Sequence, residues 1–118
     1  MTDRGVRRFL PLKTDTLLVL VVLMRENLHG YGIIREVEER SDGEIRFQTG
    51  ALYRLLKHLL ADELIKEVEP AQPVRGDPRR FYRTTALGAR VVDAEVERLS
   101  KLVRAVRQAR AGLRPRFT

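Results

Sequence analysis

Tyr53, Arg54 and Lys57 fall within five positions of one another and set the first chemical question. A phenol, a guanidinium and an ammonium offer hydrogen-bond donors and positive charge but no nucleophile paired with a base. Their natural target is an anionic oxygen, above all a phosphate. The surrounding stretch, TGALYRLLKHLLADELIK from Thr49 to Lys66, places Leu52, Leu55, Leu56, Leu59 and Leu60 at helical spacing. That spacing predicts a helix capped by Thr49 and ending near Asp62. Its leucines would point inward, with Tyr53, Arg54, Lys57 and His58 on the flank and outer side. Thr49, Gly50 and Ala51 are small and sit at the helix start, where free N–H groups and the helix dipole favour negative charge. Each candidate also has a plainer reading. Tyr53 could be a half-buried ring bonded to its own backbone, and Arg54 could pair with an acid one turn away. Lys57 suits a phosphate better than a base edge, and His58 reads as a surface residue rather than a ligand.

Other chemistries find little support. Without cysteine, disulfides, thiolate metal sites and thiol nucleophiles are excluded, and a reducing compartment is allowed. The two histidines, His29 and His58, lie in a turn and on a helix, and no glycine-rich phosphate loop, HExxH helix or nucleophile elbow occurs. Glu36, Glu38, Glu39 and Asp42 read as a solvated helix face. No enzyme activity, cofactor or metal is expected.

The charge distribution points the same way as the helix. The chain carries a net charge of +7, with acids concentrated between Arg25 and Glu69. Arginines dominate from Arg75 to Arg90, and no acid follows Arg98. Basic ends around an acidic middle suit a polyanionic partner, although an ordinary solvated surface with a charge excess remains the alternative. At 118 residues, 43% hydrophobic and 33% charged, the chain reads as one folded domain. The run LLVLVVLM, Leu17 to Met24, is far short of the roughly 20 residues a membrane span needs. It also lacks the cleavage site of a signal peptide. A helix apolar all round must be covered all round, which calls for a second subunit as well as the chain's own core.

The elements that would position these groups follow in order. Asp15 is expected to cap a first helix reaching Glu26. A turn over Asn27–Gly30 leads to a second helix, Tyr31–Arg40, and a turn over Ser41–Glu44 leads to a short strand at Ile45–Phe47. After the Thr49 helix, the alternation in Leu64–Glu69 predicts a strand. The prolines of Pro70–Pro78 predict a loop, and Arg79–Thr84 a second strand. Thr85 would cap a last helix, Ala86–Ala111. There Val92, Val96, Leu99, Val103, Val106 and Leu113 approximate a coiled-coil seam. Such a helix predicts dimerisation, unless it folds back on its own domain.

Three helices, a strand, a basic loop, a strand and a long helix make a mainly α architecture with a small β-hairpin: a winged helix-turn-helix plus a C-terminal helix. In that architecture the second motif helix enters the DNA major groove. The expected boundaries are a basic arm over residues 1–13, the winged domain over 14–85, a dimerisation helix over 86–113 and a tail over 114–118. Arg75, Arg79 and Arg80 of the wing would track phosphates or enter the minor groove, unless the loop is merely disordered. Winged helices also serve as protein–protein adaptors, the alternative function; the basic wing and chain end weigh against it.

LHGYGI (Leu28–Ile33), the Thr49–Ile65 stretch, RRFYRTT (Arg79–Thr85) and TALG (Thr85–Gly88) together resemble the PadR-like transcriptional regulators, over about residues 14–112. The length fits the small subgroup with a single C-terminal helix. The resemblance implies a cytoplasmic, homodimeric winged-helix repressor of bacteria or archaea that binds double-stranded DNA. It implies a dimer in which the C-terminal helix packs on the partner's first helix, through Leu17, Leu18, Val21, Val92, Val96, Leu99, Val103 and Val106. It also implies that Tyr53 grips the DNA backbone. Release by a small aromatic or cationic effector is a further implication, with Leu17, Val21, Val92, Leu99 and Val103 the expected lining. Two positions depart from the pattern. Gly32 stands where a larger polar residue is common, and Ala51 replaces a frequent Thr or Ser, removing one hydroxyl that could touch DNA.

Overall fold

A computed structural model describes residues 4–70 and 79–112. Its elements are α1 (Arg4–Arg7), α2 (Thr14–Arg25), β1 (Leu28–His29), α3 (Gly30–Arg40), α4 (Thr49–Ala61), β2 (Ile65–Val68), β3 (Phe81–Thr84) and α5 (Ala86–Ala111). The strands form one antiparallel sheet in the order β1-β3-β2.

The apolar α2 is the centre of the core. Val19, Leu20, Val22 and Leu23 are buried, and α3, α5 and β3 pack around it. Leu17, Leu18 and Val21 stay half-buried and Met24 is exposed, so one side of α2 is not covered by its own chain. Asp15 is not the cap: Lys13 occupies that place without a side-chain bond, and the Leu17 N–H already bonds the Lys13 carbonyl at 2.9 Å. Asp15 instead stands in the first turn, where its charge complements the helix dipole.

The expected arm is not free over its described part. α1 packs against α5, and Val6 is buried there. The Leu12 N–H donates to Glu95 Oε2 on α5 at 2.7 Å. Glu95 is fully buried and also accepts from the Arg98 guanidinium. The Arg98 hydrogen bond is the main cause that lowers the Glu95 pKa; burial opposes it, and the Leu12 N–H adds to the lowering. A charge so deeply placed is tolerated because both oxygens have donors.

Asn27–Gly30 does more than turn. Leu28 and His29 pair with Tyr82 and Phe81, adding a third strand beside the hairpin. The His29 Nδ1 then caps α3 by accepting the Gly32 N–H at 3.2 Å. Ile33 and Val37 face the core. Left-handed backbone at Asp42 (φ 52°) and Gly43 (φ 81°) reverses the chain. Ile45–Phe47 is not a strand. No sheet edge pairs with it among the described residues, and Ile45 and Phe47 simply pack on the core.

α4 begins at Thr49 itself, with Gln48 in the cap position. It ends in a two-bond reversal: Leu64 N–H to the Leu59 carbonyl at 2.9 Å and Glu63 N–H to the Leu60 carbonyl at 3.1 Å. This is the Schellman arrangement, with Glu63 (φ 60°) in the left-handed position usual for glycine. β2 and β3 form the wing base in the register Ile65↔Thr84 to Val68↔Phe81. Thr84 Oγ1 donates to the Leu20 carbonyl at 2.8 Å, fastening β3 to α2. Thr85 caps α5 as expected, accepting the Gly88 N–H at 3.0 Å. α5 is packed from Leu87 to Leu99, with Val91 and Val92 buried, and wholly exposed from Ser100 onward.

Candidate nucleic-acid interface

α4 has the two faces its leucines require. Leu52, Leu56 and Leu59 are buried, Leu55 and Leu60 half-buried, and Thr49, Gly50, Tyr53, Arg54, Lys57 and His58 exposed; Ala51 is intermediate. No side chain caps the helix start, so its first N–H groups face outward with the small residues Thr49, Gly50 and Ala51. The Arg54 guanidinium lies back over Gly50, where an added methyl would stand 3.5 Å from Nη1. Neither Arg54 nor Lys57 joins an ion pair among the described residues. The acid that Arg54 would need as an ordinary surface pair is not in reach.

Tyr53 is neither fully free nor bonded to its own backbone. The residue is 48% exposed, and its hydroxyl end rests over Gly30, the first residue of α3. It also lies near the wing base. Burial, followed by the charges of Glu67 and Tyr53, pushes the Tyr82 pKa up, and Arg80 opposes this.

The wing arginines that the structure describes are tethered. Arg80 Nη1 pairs with Glu67 Oε1 at 3.0 Å. Arg79 Nη1 stands 3.1 Å from His29 Nε2, and its guanidinium lies 5.8 Å from the Phe81 ring centre. Both keep exposed surface. Arg75 lies outside the described residues, as does Leu113 of the seam. Arg83, which the sequence did not single out, donates to Asn27 Oδ1 at 3.1 Å and braces β3 against the turn before β1. His58 is exposed, in keeping with a surface role.

The residues expected at a subunit interface divide. Val96, Val103 and Val106 are exposed at 50%, 46% and 51%, and Leu102, which the heptad spacing skipped, matches them at 50%. Leu17, Leu18, Val21 and Leu99 are half-buried. Val92 requires correction: at 4% exposure it belongs to the chain's own core and offers no surface to a partner or an effector. Of the other residues expected to line an effector cavity, Leu17 and Val21 are half-buried on α2. Leu99 and Val103 border an open groove on α5 with Val96, Ser100, Arg104 and Arg107. No cluster of acids and histidines able to hold a metal occurs among the described residues, and none of their helices is long and apolar enough to cross a membrane.

A helical motif with a buried rear and a cationic front, followed by a hairpin knitted to its first helix, defines a winged helix-turn-helix protein. The model of the transcriptional regulator PadR-like family matches residues 19–94, and the chain belongs to that family. Its members are transcriptional regulators. Several solved structures share the fold. A PadR family regulator from Clostridium difficile R20291 is 21% identical, with 81% of this chain and 97% of that chain covered and a TM-score of 0.67. One from Eggerthella lenta DSM 2243 is 25% identical, covering 92% and 87%, with a TM-score of 0.64. Bacillus subtilis PadR, solved in complex with operator DNA, is 20% identical, covering 73% of this chain and 48% of that one, with a TM-score of 0.60. No curated protein matches the chain.

Proposed function

We propose that this regulator is a homodimeric repressor that binds an inverted-repeat operator through α4 and the wing. The observation that carries the reading is the outer face of α4. Tyr53, Arg54 and Lys57 are exposed beside an uncapped helix start, and the two cations have no internal ion partner among the described residues. In this reading Tyr53 and Lys57 hold phosphates, and Arg54 holds a phosphate or a base edge. Thr49, Gly50 and Ala51 admit the backbone close to the duplex. Arg75, Arg79 and Arg80 follow the strand beyond. The operator complex of Bacillus subtilis PadR supports the assignment by likeness of fold.

The apolar stripe Val96, Leu102, Val103 and Val106 supports pairing, with Leu17, Leu18, Val21 and Met24 of the partner's α2 as its cover. Two recognition helices would then meet successive major grooves, about 34 Å apart. A small aromatic or cationic effector would release the DNA by taking the groove bordered by Leu99 and Val103, where it competes with the partner's α2 for Val96 and Val103. The test is fluorescence anisotropy on the chain's own upstream region across a salt series. Affinity should fall steeply as salt rises, with a logarithmic slope of about 0.9 per phosphate contact. A flat response would remove the electrostatic account, and no binding at all would favour the adaptor reading.

A further inference from the structure

We infer that Gly30 is a positioning residue for Tyr53: the missing side chain at the first residue of α3 is what leaves the tyrosine hydroxyl in its place at the DNA-facing surface. The inference rests on the DNA-binding reading above and deepens it.

The backbone does not explain the glycine. Gly30 lies in a right-handed helix, and its φ is not in the left-handed range. Glycine at such a position lowers helix propensity and adds conformational freedom to the unfolded chain. Space explains it instead. A methyl group on Gly30 would stand 2.6 Å from the Tyr53 hydroxyl oxygen and 3.0 Å from ring carbon Cζ, closer than packed atoms tolerate. Something must move, and the neighbour is the tip of a half-exposed side chain, which can swing toward solvent at little cost to the fold.

Two other glycines set the scale. At Gly88 a methyl would stand 2.2 Å from the Leu64 carbonyl oxygen and 2.7 Å from Thr84 Cγ2. That obstacle is backbone under α5, so the fold itself would have to give. At Gly32, in the same turn as Gly30, a methyl would stand 3.3 Å from the tip of Leu28, and its three nearest atoms belong to Leu28 and His29, not Tyr53. Of the three, only Gly30 is held small by a side chain of the proposed interface.

Gly30→Ala, Tyr53→Phe, their double variant, Gly32→Ala and Gly88→Ala are compared for melting temperature, and all but the last for affinity to a mixed-sequence duplex at low salt. Phosphate contacts are sequence-independent, so no operator is needed. Gly30→Ala and Tyr53→Phe should each weaken binding about tenfold, the worth of one hydrogen bond to a charged oxygen. The double variant should bind no worse than the weaker single, Gly32→Ala should bind normally, and Gly30→Ala should melt near the parent. Tyr53→Phe weakened beside a normal Gly30→Ala, or losses that add in the double variant, would overturn the positioning role and leave the DNA reading standing. So would a Gly30→Ala chain that melts as early as Gly88→Ala. Normal binding by Tyr53→Phe would remove both the tyrosine contact and the role given to Gly30, and a parent chain that does not bind the duplex would overturn the functional reading itself.

Discussion

α4 and α5 both turn side chains to solvent, and the two outer faces differ in kind. The α4 face is polar and cationic: Tyr53, Arg54, Lys57 and His58 leave a surface that water covers without penalty. The outer α5 face mixes Val96, Leu102, Val103 and Val106 with Arg104 and Arg107. Four large apolar side chains, each about half exposed, are an unmet demand for cover, since burying the remainder would gain roughly half of the 1.5–3 kcal/mol of a full burial. The first face suits a hydrated polyanion, and the second suits a dry contact. In the proposed reading one chain separates what it holds from how it pairs, and that separation can be attacked at either end.

The largest effect should come from the dry face. Val103→Glu with Val106→Glu would replace two apolar contacts of the proposed interface with carboxylates. Dimer dissociation should strengthen by roughly a hundredfold or more, while the α4 surface stays intact. Analytical ultracentrifugation reads this directly. An unchanged sedimentation profile would mean that this stripe is not the contact.

Next comes the wet face. Arg54→Ala and Lys57→Ala should each weaken DNA binding about tenfold and reduce the salt slope by about one per lost phosphate contact, with the dimer unaffected. Equal slopes for parent and variants would place the phosphate contacts elsewhere.

A smaller effect tests the boundary between the packed and bare halves of α5. Glu95 has its pKa lowered in the folded chain, chiefly by its hydrogen bond from Arg98. Its stabilising contribution is therefore present above the ordinary glutamate pKa and is lost as pH falls through and below it. The melting-temperature gap between the parent and Glu95→Gln should be widest near neutrality and narrow in acid. A gap independent of pH would mean that the carboxylate charge contributes nothing there.

The smallest effect belongs to Arg80, already paired with Glu67. Arg80→Ala should change stability by no more than about 1 kcal/mol, as exposed pairs do. It should weaken DNA binding by less than Arg54→Ala does. A loss matching that of Arg54→Ala in the same anisotropy assay would show that Arg80 leaves Glu67 for the duplex.

Legibility in the sequence followed the length of the pattern. α4 and α5 were readable because many apolar residues repeat at one period, and Thr85 because its cap lies three residues before Gly88. β1 was not, since two residues carry no period and Leu28–His29 become a strand only when β3 lies alongside. The reverse error befell Ile45–Phe47, expected as a short strand, which finds no edge to join among the described residues. Val6 was missed because a lone valine in a basic segment signals nothing until α5 passes over it. Val92 shows the limit of heptad reading: one apolar stripe serves its own core at one end and stays exposed at the other, and spacing alone does not say where the change occurs. Within the site, the outward cations of α4 were legible. The link from Tyr53 to Gly30 was not, because it joins two motifs that only folding brings together.

The sheet order gives the unbroken α5 a mechanical meaning. The helix starts one residue after β3, the central strand, and runs 26 residues without a kink-forming proline, a rod of about 39 Å. Its base is bolted to the hairpin through Thr85 and Gly88, while its far end stands clear. In a paired molecule such a rod is a lever. A tilt of a few degrees where two rods cross would be handed undiminished to each hairpin and magnified into a change of reading-head spacing, with no joint along the way to absorb it.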